Sequence, residues 1–368
     1  MVALLVVANV AALAADDQTP TTPTNNLTLD NGISISGLEE DDTVRFYQVL
    51  KFDSTAKTTG GWVAAEGFTG LSDANIRKIL GIDDNGFNVV TESNKDSYGI
   101  DAALAASIAD MAESATAKYA NIAATKGTGE STYTAAKSGA EAGLYVALVT
   151  PGQVGTIYNP VFVGADYKDN TSNTWTVVTL TESYSPASLA KRYKVTLDKV
   201  ATAQTNNNDS TAEYDNLATV DIGDTVSFKV DTTIPKFGAN YTDPVFKVTD
   251  VLSTGLTLDE DSVVVKAGET TLTAGADEDY TITTSATGYV VTFAKTYLDS
   301  VGATGQAITI TYDAEVTTAV AKSINHEDNT VTLNFSNNPT DTTGNGMLKD
   351  KTNHYSFTID GLLWGSDI

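Results

Sequence analysis

The chain has 368 residues, a length that suggests two or three domains, and a net charge of −25 from 47 acidic and 22 basic residues. This acidic balance disfavours nucleic-acid binding, because proteins hold a phosphate backbone with Lys and Arg. Cysteine is absent, which excludes disulfides and cysteine metal sites. The only histidines are His326 and His354, so few residues are available for catalysis by an imidazole.

The N-terminus has most of the features of an export signal. Residues 2–14 are apolar apart from one Asn and end in Ala12-Leu13-Ala14, which fits a hydrophobic region with a cleavage site. A run of about 13 apolar residues is too short to span a bilayer, which takes about 20. We assign residues 1–15 to a partial signal peptide, since no Lys or Arg precedes the run, and residues 16–26 to a flexible leader. A buried core helix is the alternative for the apolar run.

Residues 27–190 are predicted to form a first domain that mixes strands and helices. Alternating apolar residues predict strands around Ile33, at 44–50, at Gly143–Thr150 and at Tyr158–Tyr167. Two helices are predicted between them from an N-cap followed by an apolar stripe: Ser72 or Asp73 with Ile76, Ile79 and Leu80, then Asp101 with Leu104, Ile108 and Met111.

Residues 191–368 are predicted to form a second domain of short strands separated by Gly, Asp, Asn and Ser turns. The predicted strands are Tyr193–Val200, Thr225–Thr232, Val245–Asp250, Ser262–Lys266, Tyr289–Phe293, Ile308–Val316, Asn329–Phe335 and His354–Ile359. This spacing is typical of an immunoglobulin-like sandwich. The predicted fold is therefore mostly β: an N-terminal α+β sandwich domain with a helical insertion, followed by an immunoglobulin-like β-sandwich.

The sequence lacks the motifs of common enzymes. It contains no G-x-S-x-G, no P-loop and no G-x-G-x-x-G. The acidic turns at 83–86 and 259–261 do not have the spacing of an EF-hand loop. We therefore expect no metal, no cofactor and no multiple-turnover enzyme, and we expect no membrane span in the mature chain because no second long apolar stretch follows the first.

Strand alternation places three polar residues on faces that are otherwise apolar. Lys199, Asp250 and Asn329 each have the inward parity of a predicted strand, whereas a competing acid, Glu315, has outward parity. Burial lowers the pKa of a lysine and raises that of an aspartate, so both can be neutral. The neutral amine can then attack the Asn carbonyl while the protonated Asp polarises it and ammonia leaves. The three residues also lie at strand ends, so parity alone leaves open that they simply reach water.

The same region resembles the isopeptide-forming middle domain of sortase-assembled Gram-positive fimbrial subunits, the pilus backbone proteins. The resemblance is carried, in this order, by DIGDTVSFKV at 221–230, VTDVLSTGLTL at 248–258, ITITY at 308–312 and NTVTLNFSN at 329–337. It implies that Lys199 and Asn329 are joined by an isopeptide bond and that Asp250 is the catalytic acid. These are the three residues that strand parity also selects.

The first domain is similar, more weakly, to the first domain of the same subunits. The similar segments are FYQVLK at 46–51, AGLY at 142–145 and YNPVF at 158–162. Some members of the family carry a second crosslink there, for which Lys51, Glu141 and Asn159 are available. The family also has a sortase acceptor lysine shortly before the bond lysine, and the best positional match is Lys191, although its surroundings depart from the family motif.

The resemblance implies a structural subunit of a pilus, exported to the cell wall of a Gram-positive bacterium and joined by sortase to other pilin subunits. A surface adhesin that binds a host ligand through its immunoglobulin-like domains is the alternative, because such a protein is also acidic, exported and free of cysteine. The family usually continues into a third domain and an LPxTG-type sorting motif. The sequence as written has neither, so we expect it to accept a sortase linkage but not to donate one.

Overall fold

In a computed structural model the chain divides into two compact units. Unit 1 is Met1–Tyr193 with Gly238–Thr242 and Asn338–Thr340, and unit 2 is Lys194–Phe237, Asp243–Asn337 and Asp341–Ile368. The structure describes residues 32–53, 55–165, 180, 183–204, 218–219, 222–238, 241–318, 327–337, 339 and 341–355. The predicted signal peptide and leader lie outside the described residues. Within the described ranges, no helix is long and apolar enough to cross a membrane.

Unit 1 contains two sheets of three or more strands and two helices. Its strands are β1 (Ile33–Leu38), β2 (Thr43–Phe52), β3 (Trp62–Ala64), β4 (Tyr119–Ala123), β5 (Tyr133–Lys137), β6 (Gly143–Thr150), β7 (Thr156–Tyr158), β8 (Val161–Ala165) and β9 (Ala187–Leu189), and its helices are α1 (Asp73–Leu80) and α2 (Ala102–Ser114). Short 3-10 turns lie at Lys57–Thr59 and Lys95–Ser97. The larger sheet has the strand order β3-β2-β6-β8, with β4 also paired to β2, and the smaller has the order β5-β1-β9.

The larger sheet of unit 1 is covered on both faces. Tyr47 and Val49 of β2 belong to a core that also contains the apolar stripes of α1 and α2. Val44 and Phe46, which precede them on β2, belong to a second core with the smaller sheet. A strand covered on both sides needs apolar residues on both sides, which explains why β6 is buried at six successive positions.

Both helices of unit 1 begin at a polar cap. Ser72 caps α1 and accepts a hydrogen bond from the Asn75 backbone, while the Asn75 side chain accepts one in return. The same helix ends at Gly81 in the left-handed conformation, with φ at 70°. Asp101 caps α2 by accepting a 2.8 Å hydrogen bond from the Leu104 backbone. Of the two caps predicted for α1, the structure therefore selects Ser72.

Unit 2 is built almost wholly from strands. After β10 (Arg192–Lys194), which spans the division between the units, come β11 (Leu197–Gln204), β12 (Ala218–Thr219), β13 (Thr225–Ile234), β14 (Phe246–Val251), β15 (Leu256–Leu258), β16 (Val264–Ala267), β17 (Thr270–Thr271), β18 (Tyr280–Ser285), β19 (Gly288–Phe293), β20 (Gln306–Val316), β21 (Glu327–Phe335) and β22 (Gly346–Tyr355). One short helix, α3 (Lys295–Ser300), follows β19, and a 3-10 turn lies at Glu260–Ser262.

The strands of unit 2 form two sheets that face each other. Sheet A has the order β11-β13-β20-β16-β17, with β15 also beside β20, and sheet B has the order β12-β22-β21-β14-β19-β18. Alternate residues of β13, β14 and β20 are buried, so each strand gives one face to the core. The rings of Tyr289 from sheet B and Tyr312 from sheet A meet edge to face, 5.2 Å apart between centroids. The prediction of a mostly β chain with an α+β first part and an immunoglobulin-like sandwich is confirmed.

Three predicted strand boundaries are wrong. The strand predicted at Tyr158–Tyr167 is broken at Asn159-Pro160 between β7 and β8, because proline cannot donate to a sheet ladder. The strand predicted at Tyr193–Val200 is likewise two strands, β10 and β11. The strand predicted at His354–Ile359 begins earlier, at Gly346, and residues beyond Tyr355 lie outside the described part of the chain. The first part of this strand was not predicted because its residues are mostly polar and show no clear alternation of apolar side chains.

Candidate functional site

Three polar side chains are buried between the two sheets of unit 2. Lys199 lies on β11 of sheet A, while Asp250 and Asn329 lie on β14 and β21, which are neighbours in sheet B. Their exposed fractions are 1%, 1% and 0%. Each occupies a position of its strand that alternation turns toward the core, so the fold itself brings a lysine from one sheet against an acid and an amide from the other.

The three side chains are in direct contact. The Lys199 Nζ donates to both carboxylate oxygens of Asp250, each at 2.6 Å, and to the Asn329 Oδ1 at 2.8 Å. At the other end of the amide, the Asn329 Nδ2 donates to the Tyr312 hydroxyl at 2.9 Å. A potential nucleophile thus lies within hydrogen-bonding distance of both a potential proton carrier and an amide.

Aromatic rings wall the site on the side of sheet A. Phe228 and Tyr312 are partners in the β13–β20 register and stack with centroids 5.1 Å apart. The Lys199 Nζ lies 5.4 Å from the centroid of Phe228 and 5.3 Å from that of Tyr312. Ring faces stabilise a nearby cation, but they supply far less solvation than the water they displace. The charged form of Lys199 is therefore less stable in this site than it would be in water.

Burial shifts the ionisation of the pair toward its neutral forms. It lowers the pKa of Lys199 to about 8, although the Asp250 carboxylate acts in the opposite direction. Burial raises the pKa of Asp250, against the attraction of Lys199 and the hydrogen bonds of nearby tyrosine hydroxyls. A neutral amine beside a protonated carboxyl is thus accessible, and this is the state in which an amine can attack a carbonyl.

A second carboxylate holds the backbone of the lysine. The Oδ2 of Asp350 on β22 accepts a 2.6 Å hydrogen bond from the backbone N–H of Lys199. Asp350 also acts to raise the pKa of Lys199, less strongly than Asp250 does. Since β22 pairs with β21 and places Thr352 opposite Asn329, this contact ties the lysine strand to the sheet that carries the amide.

Sequence reasoning missed two of these neighbours. Asp350 could not be found, because its contact joins residues 151 positions apart and lies on a strand without an apolar pattern. Tyr312 did leave a signal, since it shares the inward parity of the predicted strand Ile308–Val316. Glu315, which has the opposite parity on that strand, is exposed.

The candidates for a crosslink in unit 1 do not converge. Lys51 is exposed on β2 and lies level with the last residue of β8, because both pair with Gly143 of β6. Asn159 lies before the first residue of β8, at the other end of that strand. Glu141 is exposed and pairs with Lys118 at 2.8 Å. The Asn159 Oδ1 is buried and has no hydrogen-bond partner among the described residues.

Lys191, the candidate acceptor, is exposed between β9 and β10. Its backbone carbonyl accepts a 3.0 Å hydrogen bond from the Asn159 backbone, so the segment is held while the side chain reaches solvent. The tryptophan that precedes it in sequence, Trp175, lies outside the described residues.

The acidic turns at 83–86 and 259–261 are stabilised by hydrogen bonds within each turn or to the residue that follows it. Asp83 accepts hydrogen bonds from the backbones of Asn85 and Phe87, both at 2.9 Å, and Asp259 accepts one from Asp261. In the part of the chain that the structure describes, no group of three or more His, Asp or Glu side chains is placed to hold a metal ion.

Comparison with solved structures identifies similar folds among pilins. The T6 backbone pilin of serotype M6 Streptococcus pyogenes, described as a modular three-domain structure, superposes with a TM-score of 0.60 at 20% identity and covers 90% of this chain. The chain covers 65% of the length of that pilin. The major pilin SpaD from Corynebacterium diphtheriae gives a TM-score of 0.46 at 17% identity, covering 90% of this chain and 68% of its own. The major pilin BcpA of Bacillus cereus gives 0.40 at 15%, covering 66% and 61%.

Comparison with protein families gives a more local result. No curated protein sequence matches the chain. The family described as Gram-positive pilin backbone subunit 2, Cna-B-like domain, matches residues 222–339, which include Asp250 and Asn329 but not Lys199. The predicted resemblance to Gram-positive pilin backbone subunits is thereby confirmed, and it is carried by the match over residues 222–339.

Proposed function

We propose that the chain is a structural subunit of a Gram-positive pilus whose second unit is locked by an isopeptide bond between Lys199 and Asn329, promoted by Asp250. The observation that carries the proposal is the buried contact of the Lys199 Nζ with the Asp250 carboxylate and the Asn329 amide. We further propose that the two units correspond to domains at 27–190 and 191–368, preceded by a cleaved signal peptide and a leader.

The reaction is an amide exchange with a complete balance of atoms. The neutral Nζ of Lys199 attacks the Asn329 Cγ while Asp250 donates a proton toward Oδ1 and takes one from Nζ. The new Nζ–Cγ bond forms; as the carbonyl re-forms, Oδ1 gives up its proton and Nδ2 gains one, the Cγ–Nδ2 bond breaks, and the nitrogen leaves as ammonia. Asp250 ends with the proton that it began with, so a single turnover needs no cofactor.

Electrostatics supports a reactive rather than a purely structural role for the pair. A buried ion pair recovers by mutual attraction only part of what its two charges lose on leaving water. The amide bond replaces the ammonium by a neutral nitrogen and leaves Asp250 protonated, so the product no longer contains the buried charges. Bond formation therefore removes the desolvation penalty that burial of the two charges brings on folding.

Intact mass of the purified chain tests the proposal. We expect a mass about 17 Da below that of the unmodified mature chain, because one ammonia leaves for each bond formed. A proteolytic digest should contain a branched peptide joining Lys199 to Asn329. A chain at its unmodified mass would refute the bond, and a loss of about 34 Da would show two bonds, the second assigned by its own branched peptide.

Matched variants separate the site from its surroundings. Lys199→Ala, Asn329→Ala and Asp250→Ala should each abolish the mass loss. Lys229→Ala and Asn334→Ala should retain it, because those side chains lie partly exposed on the outer faces of the same two sheets. Asp250→Ala should still fold, since apolar faces hold the sandwich. Ammonia loss at the wild-type rate in that variant would exclude Asp250 as the acid.

We propose Lys191 as the lysine through which sortase joins this chain to a neighbouring subunit. The support is its exposed side chain on a segment whose backbone is fixed. A pilus-type sortase with a fluorescent LPxTG peptide as donor should label the wild-type chain, and Lys191→Arg should abolish labelling. Lys194→Arg, a change at another exposed lysine three residues away, should not. Undiminished labelling of the Lys191 variant would move the acceptor elsewhere.

A further inference from the structure

The Tyr312 hydroxyl contacts the one atom of the site that must leave. We infer that Tyr312 is a further catalytic residue, the general acid that delivers a proton to the departing Nδ2 of Asn329. This inference rests on the proposed Lys199–Asn329 bond. It names the group that protonates the leaving nitrogen, a step for which Lys199, Asp250 and Asn329 alone provide no placed donor.

The contacts divide the amide into two ends. The Lys199 Nζ lies 2.8 Å from the Asn329 Oδ1, on the carbonyl end. The Nδ2 end donates instead to the Tyr312 hydroxyl at 2.9 Å. An amide anion is a very poor leaving group, so the Cγ–Nδ2 bond breaks only when Nδ2 receives a proton. Tyr312 is the side chain whose hydroxyl oxygen lies at that atom.

The proton can be traced through a closed circuit. Asp250 begins protonated: on attack it gives that proton to the Asn329 Oδ1 and takes one from the Lys199 Nζ, to which it is hydrogen-bonded at 2.6 Å. It then passes this proton to the phenol oxygen of Tyr312, on which it acts electrostatically, as that oxygen gives its own proton to Nδ2. Nζ–Cγ forms, Cγ–Nδ2 breaks and ammonia leaves. Oδ1 returns its proton to Asp250 as the carbonyl re-forms, so both Asp250 and Tyr312 end as they began.

The ring of Tyr312 is fixed in place for this transfer. It is 1% exposed, stacks on Phe228 with an interplanar angle of 18°, and meets the ring of Tyr289 edge to face. A ring held on two sides keeps its hydroxyl aimed at the amide without further ordering when the reaction begins. Burial places the same hydroxyl away from bulk water, which would otherwise be the competing proton source.

Tyr289 provides a matched control. It is 2% exposed and is the register partner of Asp250 on β19, so its ring sits in the same site. Its hydroxyl, however, makes no hydrogen bond to Asn329 and acts on Asp250 instead. Replacing either tyrosine with phenylalanine removes one buried hydroxyl and keeps the ring, but only Tyr312→Phe removes the contact with Nδ2.

The test follows bond formation in newly made full-length chain. Cell-free synthesis is stopped with a translation inhibitor, and the fraction of chain lighter by about 17 Da is measured by intact mass over time. Tyr312→Phe should slow the appearance of that fraction by at least about 100-fold, the lower range for a positioned general acid. Tyr289→Phe should slow it far less, because that variant keeps the contact with Nδ2.

A second variant separates proton transfer from mere orientation of the amide. 3-Fluorotyrosine at position 312 keeps the ring and the hydroxyl but makes the phenol a stronger acid and a weaker acceptor. A general acid should then work faster, whereas a hydroxyl that only accepts a hydrogen bond from Nδ2 should work more slowly or unchanged. Because this substitution preserves the packing, it decides the question even if Tyr312→Phe does not fold.

The outcomes distinguish this inference from the function on which it rests. A wild-type chain that loses no ammonia overturns the crosslink and the role of Tyr312 together. A wild-type chain that loses ammonia, with Tyr312→Phe matching its rate or with fluorotyrosine failing to accelerate it, overturns the role of Tyr312 alone.

Discussion

Asn329→Ala is the cleanest way to measure what the proposed crosslink contributes to stability. It removes the bond but leaves the Lys199–Asp250 pair in place, with its 2.6 Å contacts. Lys199→Ala would instead leave a buried carboxyl without its partner, which destabilises a protein by several kcal/mol whether or not a bond had formed. Asn334→Ala, on the outer face of the same strand, controls for the loss of an asparagine from β21.

The magnitude follows from the length of the closed loop. Lys199 and Asn329 are 130 positions apart. The chain-entropy relation for a crosslink of that span gives about 5 kcal/mol from restriction of the unfolded chain. At about 2–4 °C per kcal/mol for a domain of this size, the melting temperature of unit 2 should fall by about 10–20 °C.

Differential scanning calorimetry of the full chain, with the mass of each sample checked beforehand, measures this change. We expect the transition of unit 2 to move to lower temperature in Asn329→Ala and to be unaffected by reducing agents in every variant, because the chain has no cysteine. Trypsin should cut unit 2 of the variant at temperatures where the wild type resists. Melting of unit 2 within about 3 °C of the wild type would refute the reasoning, since it leaves less than about 2 kcal/mol for the crosslink.

The rate of bond formation should follow a bell-shaped pH profile, because the reactive pair shares one proton. Burial lowers the pKa of Lys199 to about 8, and above that pH the pair loses its shared proton, so Asp250 cannot donate and the rate falls. As the pH falls through the raised pKa of Asp250, the pair gains a second proton, the amine becomes cationic and the rate falls again. Mass measured over time across a pH series checks both limbs, and a rate that keeps rising well above pH 8 would contradict the scheme. In unit 1, Asp101→Ala should destabilise α2 by about 0.5–2 kcal/mol, against little change for the exposed Asp96→Ala, as measured by urea unfolding. Because hydrogen bonds from Lys78 and from the helix backbone lower the pKa of Asp101, its contribution is present above the ordinary aspartate pKa and fades as the pH falls through the lowered value.

Local patterns carried much of the fold prediction. The N-caps Ser72 and Asp101 mark both helices of unit 1, and β6 was predicted with its observed ends because a long apolar run between turn residues has few alternatives. Strand parity selected Lys199, Asp250 and Asn329 because a period of two is a property of each strand by itself. Their assignment as a crosslink stays a prediction, supported by their contact in the structure.

What the sequence could not supply is pairing between distant strands. Nothing local shows that Asp350 reaches the backbone of Lys199, or that β22 pairs with β21. The proposed crosslink would join β11 of sheet A to β21 of sheet B, which lies between β22 and β14. Such pairing depends on register, which only the folded sheets define.

The position of Lys199 and Asn329 on opposite sheets gives the proposed crosslink a consequence beyond stability. Lys199 reaches Asp250 and Asn329 only when sheet A has closed over sheet B, because the contact crosses the buried interior between them. An unfolded chain, or one with a mispaired sheet, would form no bond and lose no ammonia. The mass of each molecule would therefore be a permanent record of whether its second unit had ever reached the native arrangement. A pilus assembled from such subunits could be inspected link by link, long after assembly, for the folding history of every copy.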